Sequence, residues 1–198
     1  MANLIVAKFG GSVLGLDGIS IPEIIKRIIN LKKESKIIAV FSAPLTIHND
    51  KKRSLTDVVL EQGRNAENGI VPNLDIVKST YQKILELVNS ENKEDCKKSI
   101  DLHLQMAQKA LDEALEKKEF VDEVRSRALA FSGEILISHV MNYIIRSNGI
   151  KADAVSFDDW PIITDDNIES TNFLTSESRI KMQKTEELVN NNEVVTIG

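Results

Sequence analysis

The chain is poor in the residues that carry covalent and metal chemistry. Its 198 residues include one cysteine, Cys96, so no internal disulfide can form. The neighbours Glu94, Asp95, Lys97 and Lys98 read as a solvated helix start holding a bystander thiol rather than a nucleophile. Histidine is nearly as scarce. His48, His103 and His139 are far apart and match no zinc spacing, so no metal-ligating set is expected. Positive charge is not in excess: 25 Lys and Arg against 30 Asp and Glu leave a formal charge of −5. That excludes the basic stripe of an electrostatic nucleic-acid binder. An acidic chain can still take an anionic ligand, but through a local site rather than a global field. No apolar run approaches membrane-spanning length, and the N-terminus lacks the apolar core of a signal peptide. The expectation is a reduced, cytoplasmic protein with no membrane or nucleic-acid partner.

What is present is a globular profile, 42% hydrophobic and 28% charged, long enough for one domain with a real core. Internal repeats, low-complexity tracts and interdomain linkers are lacking. Glycine is sparse, nine in all, yet Gly10, Gly11, Gly15 and Gly18 fall together in the stretch 9–19. Before it lies an apolar strand over 3–8. After it, Ser20-Ile21-Pro22-Glu23 predicts a capping box opening a helix, with Ile21, Ile24, Ile25, Ile28 and Ile29 on one face. Residues 36–42 form a continuous apolar run, as in a strand buried on both faces of a parallel sheet. The opening is thus a β-loop-α-β unit.

Residues 44–54 read as a polar, basic loop, and 55–67 as a helix. From Asp75 to about Arg146 the pattern is mostly helical, with core stripes such as Ile76, Val77, Thr80, Tyr81, Ile84 and Leu85. A helix over 133–147 ends at Asn148-Gly149. A strand over 152–157, an Asp-rich loop, a charged helix from Ser176 to about Asn190 and a strand over 193–197 complete the chain.

Four segments sit at predicted strand ends or helix starts, where open α/β sheets bind ligands. They are Lys8-Phe9-Gly10-Gly11-Ser12, Ser42-Ala43, Ser132-Gly133-Glu134 and Thr164-Asp165-Asp166-Asn167. In the first, two glycines leave backbone N–H groups free to approach an anion, and the lysine supplies a point charge for a phosphate. Each segment alone is also compatible with an ordinary turn.

In this order, together with Leu55-Thr56-Asp57-Val58-Val59 and the terminal Val194-Val195-Thr196-Ile197-Gly198, the segments resemble the N-terminal part of aspartokinases, within the amino-acid kinase superfamily. The resemblance implies an α/β three-layer sandwich with a mostly parallel sheet and a large helical insertion over residues 75–130. It implies ATP-dependent phosphorylation of L-aspartate to 4-phospho-L-aspartate, the first step of lysine, threonine and methionine biosynthesis. By the same likeness Lys8 is catalytic, and Lys8, Phe9, Gly10, Gly11 and Ser12 bind ATP with Mg²⁺. Ser42, Thr56 and Glu134 hold the substrate, Glu134 by pairing with its ammonium.

Two departures bear on this. The family has an arginine shortly after the Thr-Asp-Asp turn, whereas this chain has Ile168-Glu169-Ser170-Thr171-Asn172, with Arg179 a nearby candidate to take its place. The chain also stops at Gly198. Residues 1–198 are therefore expected to be the amino-acid-binding part of the kinase domain, without the nucleotide half or ACT regulatory domains, and inactive alone. The terminal strand is expected to expose a sheet edge and promote homo-oligomers. The alternatives are a kinase for another small carboxylate and a non-catalytic amino-acid-binding module.

Overall fold

The computed structural model describes residues 3–165 and 170–198. In chain order the elements are β1 (Asn3–Phe9), α1 (Gly11–Leu14), α2 (Ile21–Leu31), β2 (Ser35–Phe41), β3 (Leu45–His48), β4 (Lys51–Ser54) and α3 (Leu55–Glu67). Then follow α4 (Asp75–Leu85), α5 (Ser90–Lys117), α6 (Asp122–Ser132), α7 (Glu134–Ser147), β5 (Ala152–Ala154), α8 (Thr175–Asn191) and β6 (Val194–Ile197). The main sheet has the order β1-β2-β6-β5 with every pairing parallel, so all four strands end on one side.

Alternation along the strands separates two faces. Ile37, Ala39 and Phe41 of β2 are buried together with Phe9 of β1 and with Val194 of β6, beneath the isoleucine face of α2 and the apolar face of α7. At the strand ends the Phe9 and Phe41 rings stack with centroids 5.3 Å apart. The opposite face carries α8. Lys36, which alternates with Ile37, donates from its ammonium to the carbonyls of Val189 (2.6 Å) and Asn190 (2.5 Å), capping the end of α8. Helices therefore cover both faces and the expected three layers are present. The predicted insertion is a cluster of α4, α5 and α6 around Tyr81, Cys96, Leu111 and Phe131, all buried.

Several expectations change. The terminal strand is not an edge, because β6 lies between β2 and β5 and is paired on both sides. The edges are β1 and β5, and Leu4 and Val6 of β1 stand 52% and 66% exposed. The loop over 44–54 is a β-hairpin. Asn49 and Asp50 both adopt left-handed backbone (φ 51° and 59°), the geometry that matches a two-residue turn to strand twist. The capping box at Ser20 does not form. Its backbone sits at φ −91°, ψ 0° rather than extended, its side chain caps nothing, and Glu23 pairs with Lys26 instead. Side-chain caps form on other helices: the Ser54 Oγ accepts from the Asp57 N–H at 3.1 Å at the start of α3, and the Asn89 Oδ1 from the Asn92 N–H at 3.0 Å at the start of α5. The third strand is shorter than expected, Ala152–Ala154.

Cys96 is not solvated either. It is fully buried on α5, where desolvation pushes its thiol up to about 12. His103 and His139, remote in sequence, lie with ring centroids 4.7 Å apart. By length and composition the α6–α7 run, Asp122–Ser147, is apolar enough to cross a membrane, contrary to the sequence reading. However, 72% of its most apolar 18-residue stretch is buried inside the fold, as in a core helix.

Candidate active site

Ala43 follows β2 at the C-terminal edge of the parallel sheet. Just before it, the Ser42 N–H donates to the Phe9 carbonyl at 3.1 Å, extending the β1–β2 ladder by one bond. Beyond Phe9 the chain passes through Gly10, which has no atom within 4 Å of where a Cβ would stand, and enters α1. Gly11 lies directly against Ala43. A Cβ there would sit 2.3 Å from the Ala43 carbonyl oxygen, so only glycine fits. Gly11 and Ser12 open the first turn of α1, where N–H groups have no intrahelical acceptor.

From the other side comes the corner between α6 and α7. Gly133 breaks the rod at φ −117°, ψ −104°. A Cβ on it would meet the Leu129 carbonyl at 2.8 Å, the Thr56 methyl at 2.9 Å and the Ala43 Cβ at 3.4 Å. Glu134 follows in the first turn of α7, where the helix dipole favours a negative charge. Its Oε1 accepts from the Ala43 N–H at 3.5 Å. No ion pair between Glu134 and any described cation occurs. Gly198 lies across the same turn, its would-be Cβ 2.1 Å from the Glu134 carbonyl oxygen.

Of the residues singled out from sequence, the fold gathers Gly10, Gly11, Ser42, Thr56 and Glu134 around Ala43. Thr56 shares a 2.8 Å hydroxyl hydrogen bond with Ser54. Phe9 is a core residue whose ring stacks on Phe41, leaving only its backbone near the strand end. Lys8 and Ser12 are exposed, and among the described residues no hydrogen bond or ion pair to the Lys8 ammonium occurs. Lys8 alternates with Phe9 and so rises from the opposite face of the sheet. Near the Asp-rich loop, Asp165 accepts from the backbone N–H (3.0 Å) and side-chain amide (2.7 Å) of Asn172. Asp166, Asn167, Ile168 and Glu169 lie outside the described residues, and Arg179 is exposed on α8.

Two supports were not legible as parts of a site. Tyr81, fully buried on α4, donates its hydroxyl to the carbonyls of Ser132 and Gly133, each at 3.1 Å. Burial, and then the Glu134 charge, push its phenol well above its ordinary pKa. In the sequence Tyr81 is one member of an apolar stripe, and nothing there signals carbonyl partners about fifty residues away. Asp17, in the glycine-rich loop, accepts from Thr46 (3.0 Å), Thr80 (3.2 Å) and Lys83 (2.6 Å). Burial raises its carboxyl, but the hydrogen bonds and charge of Lys83, with Thr46 and Thr80, outweigh that and hold it below the usual carboxylate range. The left-handed backbone of Asp17 (φ 50°) is the only local sign of a special role.

The strand ends thus bring together paired glycine contacts and an acidic helix start, with an exposed lysine on the other face of the sheet. The model of the amino acid kinase family matches residues 3–198, and the chain belongs to that family. Among solved structures, it is similar to E. coli aspartokinase III in complex with aspartate and ADP (R-state), with TM-score 0.67 and 14% identity over 98% of this chain and 40% of that one. It is also similar to E. coli aspartokinase III in complex with lysine and aspartate (T-state), with TM-score 0.66 and 15% identity over 99% of this chain and 40% of that one. The chain thus spans well under half the length of these relatives. A search of curated proteins finds no match.

Proposed function

We propose that the chain carries the acceptor side of an aspartate kinase, the part that binds L-aspartate and presents its β-carboxylate to the terminal phosphoryl group of ATP. The observation that carries this reading is Glu134. It is an ionisable carboxylate at the strand ends, seated on the Ala43 N–H beside Thr56 and lacking an ion-pair partner among the described residues. An α-ammonium is the group that such a carboxylate recognises. Aspartate is favoured because aspartokinase III, of the same fold, is known in complex with it.

In the proposed reaction one oxygen of the β-carboxylate forms a bond to the γ-phosphorus as the bond to the ADP oxygen breaks. Such a transfer depends on positioning and charge neutralisation more than on covalent help from the protein. Lys8 supplies positive charge to the oxygens in flight, and Gly10, Gly11 and Ser12 offer N–H and hydroxyl donors. Ser42 and Thr56 offer hydroxyls to the amino acid. Among the described residues no three His, Cys, Asp or Glu side chains gather into a metal cage. By the likeness to aspartokinases, a Mg²⁺ ion would be held by nucleotide phosphates, neutralising their charge.

Calorimetric titration with L-aspartate, L-glutamate and L-lysine tests the reading. Saturable binding of L-aspartate, at least about tenfold tighter than of the other two (~1.4 kcal/mol), is expected. Preferential binding of another amino acid would overturn the substrate assignment. No binding of any would overturn the reading as a whole.

A further inference from the structure

The two ends of the proposed site come from distant parts of the chain, yet both are fastened to one turn of α4. Thr80 and Lys83 bond the Asp17 carboxylate, which holds the glycine-rich loop, and Asp17 in turn donates its N–H to the Leu45 carbonyl at 2.7 Å. Tyr81, next in sequence and about 100° around the helix, bonds the Ser132 and Gly133 carbonyls that set the start of α7. Thr80 and Tyr81 are both buried, 1% and 0% exposed. Their hydroxyls therefore bond protein groups rather than water, and losing either removes one fastening while the acceptors keep others: the Gly133 carbonyl still takes the Ile137 N–H at 2.9 Å, and Asp17 keeps Thr46 and Lys83. The Glu134 charge acts on the Tyr81 phenol, which puts that hydroxyl within electrostatic reach of the carboxylate assigned to the substrate ammonium.

We infer that α4 is the strut of the site: Tyr81 is a positioning residue for the amino-acid end, and the Asp17 knot with Thr80 and Lys83 is a positioning device for the anion end. The inference deepens the proposed function and rests on it for the naming of the two ends. It assigns the helical insertion a task, because α4 is the element on which the spacing between Glu134 and the glycine-rich loop depends. The two fastenings are separable, since they use different side chains on different sides of the helix.

The test compares wild type with Tyr81→Phe and Asp17→Asn, and with Lys83→Met as a milder variant at an exposed position should Asp17→Asn fold poorly. Calorimetry uses L-aspartate and inorganic pyrophosphate as probes, the latter reporting the glycine-rich loop alone. Tyr81→Phe is expected to weaken L-aspartate roughly five- to tenfold while changing pyrophosphate less than about twofold. Asp17→Asn or Lys83→Met is expected to do the reverse, the sizes following from the loss of one buried hydrogen bond. Amide hydrogen exchange supplies a readout that needs no ligand. Tyr81→Phe should speed exchange at Ile135–Ile137 and leave Val13–Ile21 unchanged, and the Asp17 and Lys83 variants should do the opposite. If wild type binds neither probe, the functional reading fails while the exchange pattern still decides the strut. Variants that all loosen both regions together, or that loosen neither, would overturn it.

Discussion

Gly11 lies so close against Ala43 that a methyl group on it would stand 2.3 Å from the Ala43 carbonyl oxygen, whereas a methyl on Gly10 would meet nothing within 4 Å. Two adjacent glycines thus have opposite tolerances. Gly11→Ala is expected to cost roughly 1–3 kcal/mol through overpacking against backbone that cannot yield. Gly10→Ala, at φ −69°, should stay within about 0.5 kcal/mol of wild type. Urea midpoints of the two variants check this, and equal losses would contradict the close approach.

The His103–His139 pair makes stability depend on pH. Burial holds both imidazoles below their ordinary pKa; His139 falls from 6.5 to about 4, with the charge of His103 adding to the effect. Both rings are neutral above pH 6.5 in the folded and unfolded chain. As pH falls below 6.5 the unfolded chain takes up protons first, so native stability drops between 6.5 and about 4 and levels off below that. The loss from His139 is on the order of 3 kcal/mol. Among the described residues the buried His139 Nε2 has no hydrogen-bond partner, so His139→Phe should flatten the slope at little cost near pH 7. Thermal melts from pH 7.5 to 4.5 decide it; an unchanged slope in the variant would refute the assignment.

Cys96 should be inert in the folded protein. It is fully buried and its thiol is raised to about 12 by desolvation, so almost no thiolate exists at pH 8. A thiol-reactive chromogenic disulfide should label it only at the rate of unfolding, and stoichiometrically in urea. Fast labelling of the native chain would show that α5 opens locally.

Lys8 has a narrower role. Its exposed side chain has no described partner, so Lys8→Met should leave the denaturation midpoint within about 0.5 kcal/mol of wild type. It should weaken pyrophosphate binding and reduce the dependence of that binding on salt. Unaltered pyrophosphate affinity would remove Lys8 from the site.

The parallel sheet was legible in the sequence because β1 and β2 are continuous apolar runs and the α2 isoleucines repeat at helical spacing, signals carried within each segment. The hairpin was not, since Lys51, Lys52 and Arg53 have the composition of a loop. What makes them a strand is the Asn49-Asp50 turn and the tie from Arg53 and His48 to Glu61 on α3. The sheet order was also hidden: β6 is last in sequence but interior in the sheet, because β5 crosses over to pair beyond it. Gly11, Thr56 and Glu134 could be picked out by motif. Tyr81 and Asp17 could not, because their partners lie far along the chain and each looks locally like an ordinary core or loop residue.

The central claim is that Glu134 receives the ammonium of L-aspartate at the strand ends. Glu134→Gln keeps the shape and the acceptor for the Ala43 N–H while removing the charge. Calorimetric titration of L-aspartate into wild type and this variant should show affinity falling at least about tenfold, the 1.5–3 kcal/mol of a charge-assisted hydrogen bond, with the unfolding midpoint unchanged. Equal affinity in the two proteins would contradict the account.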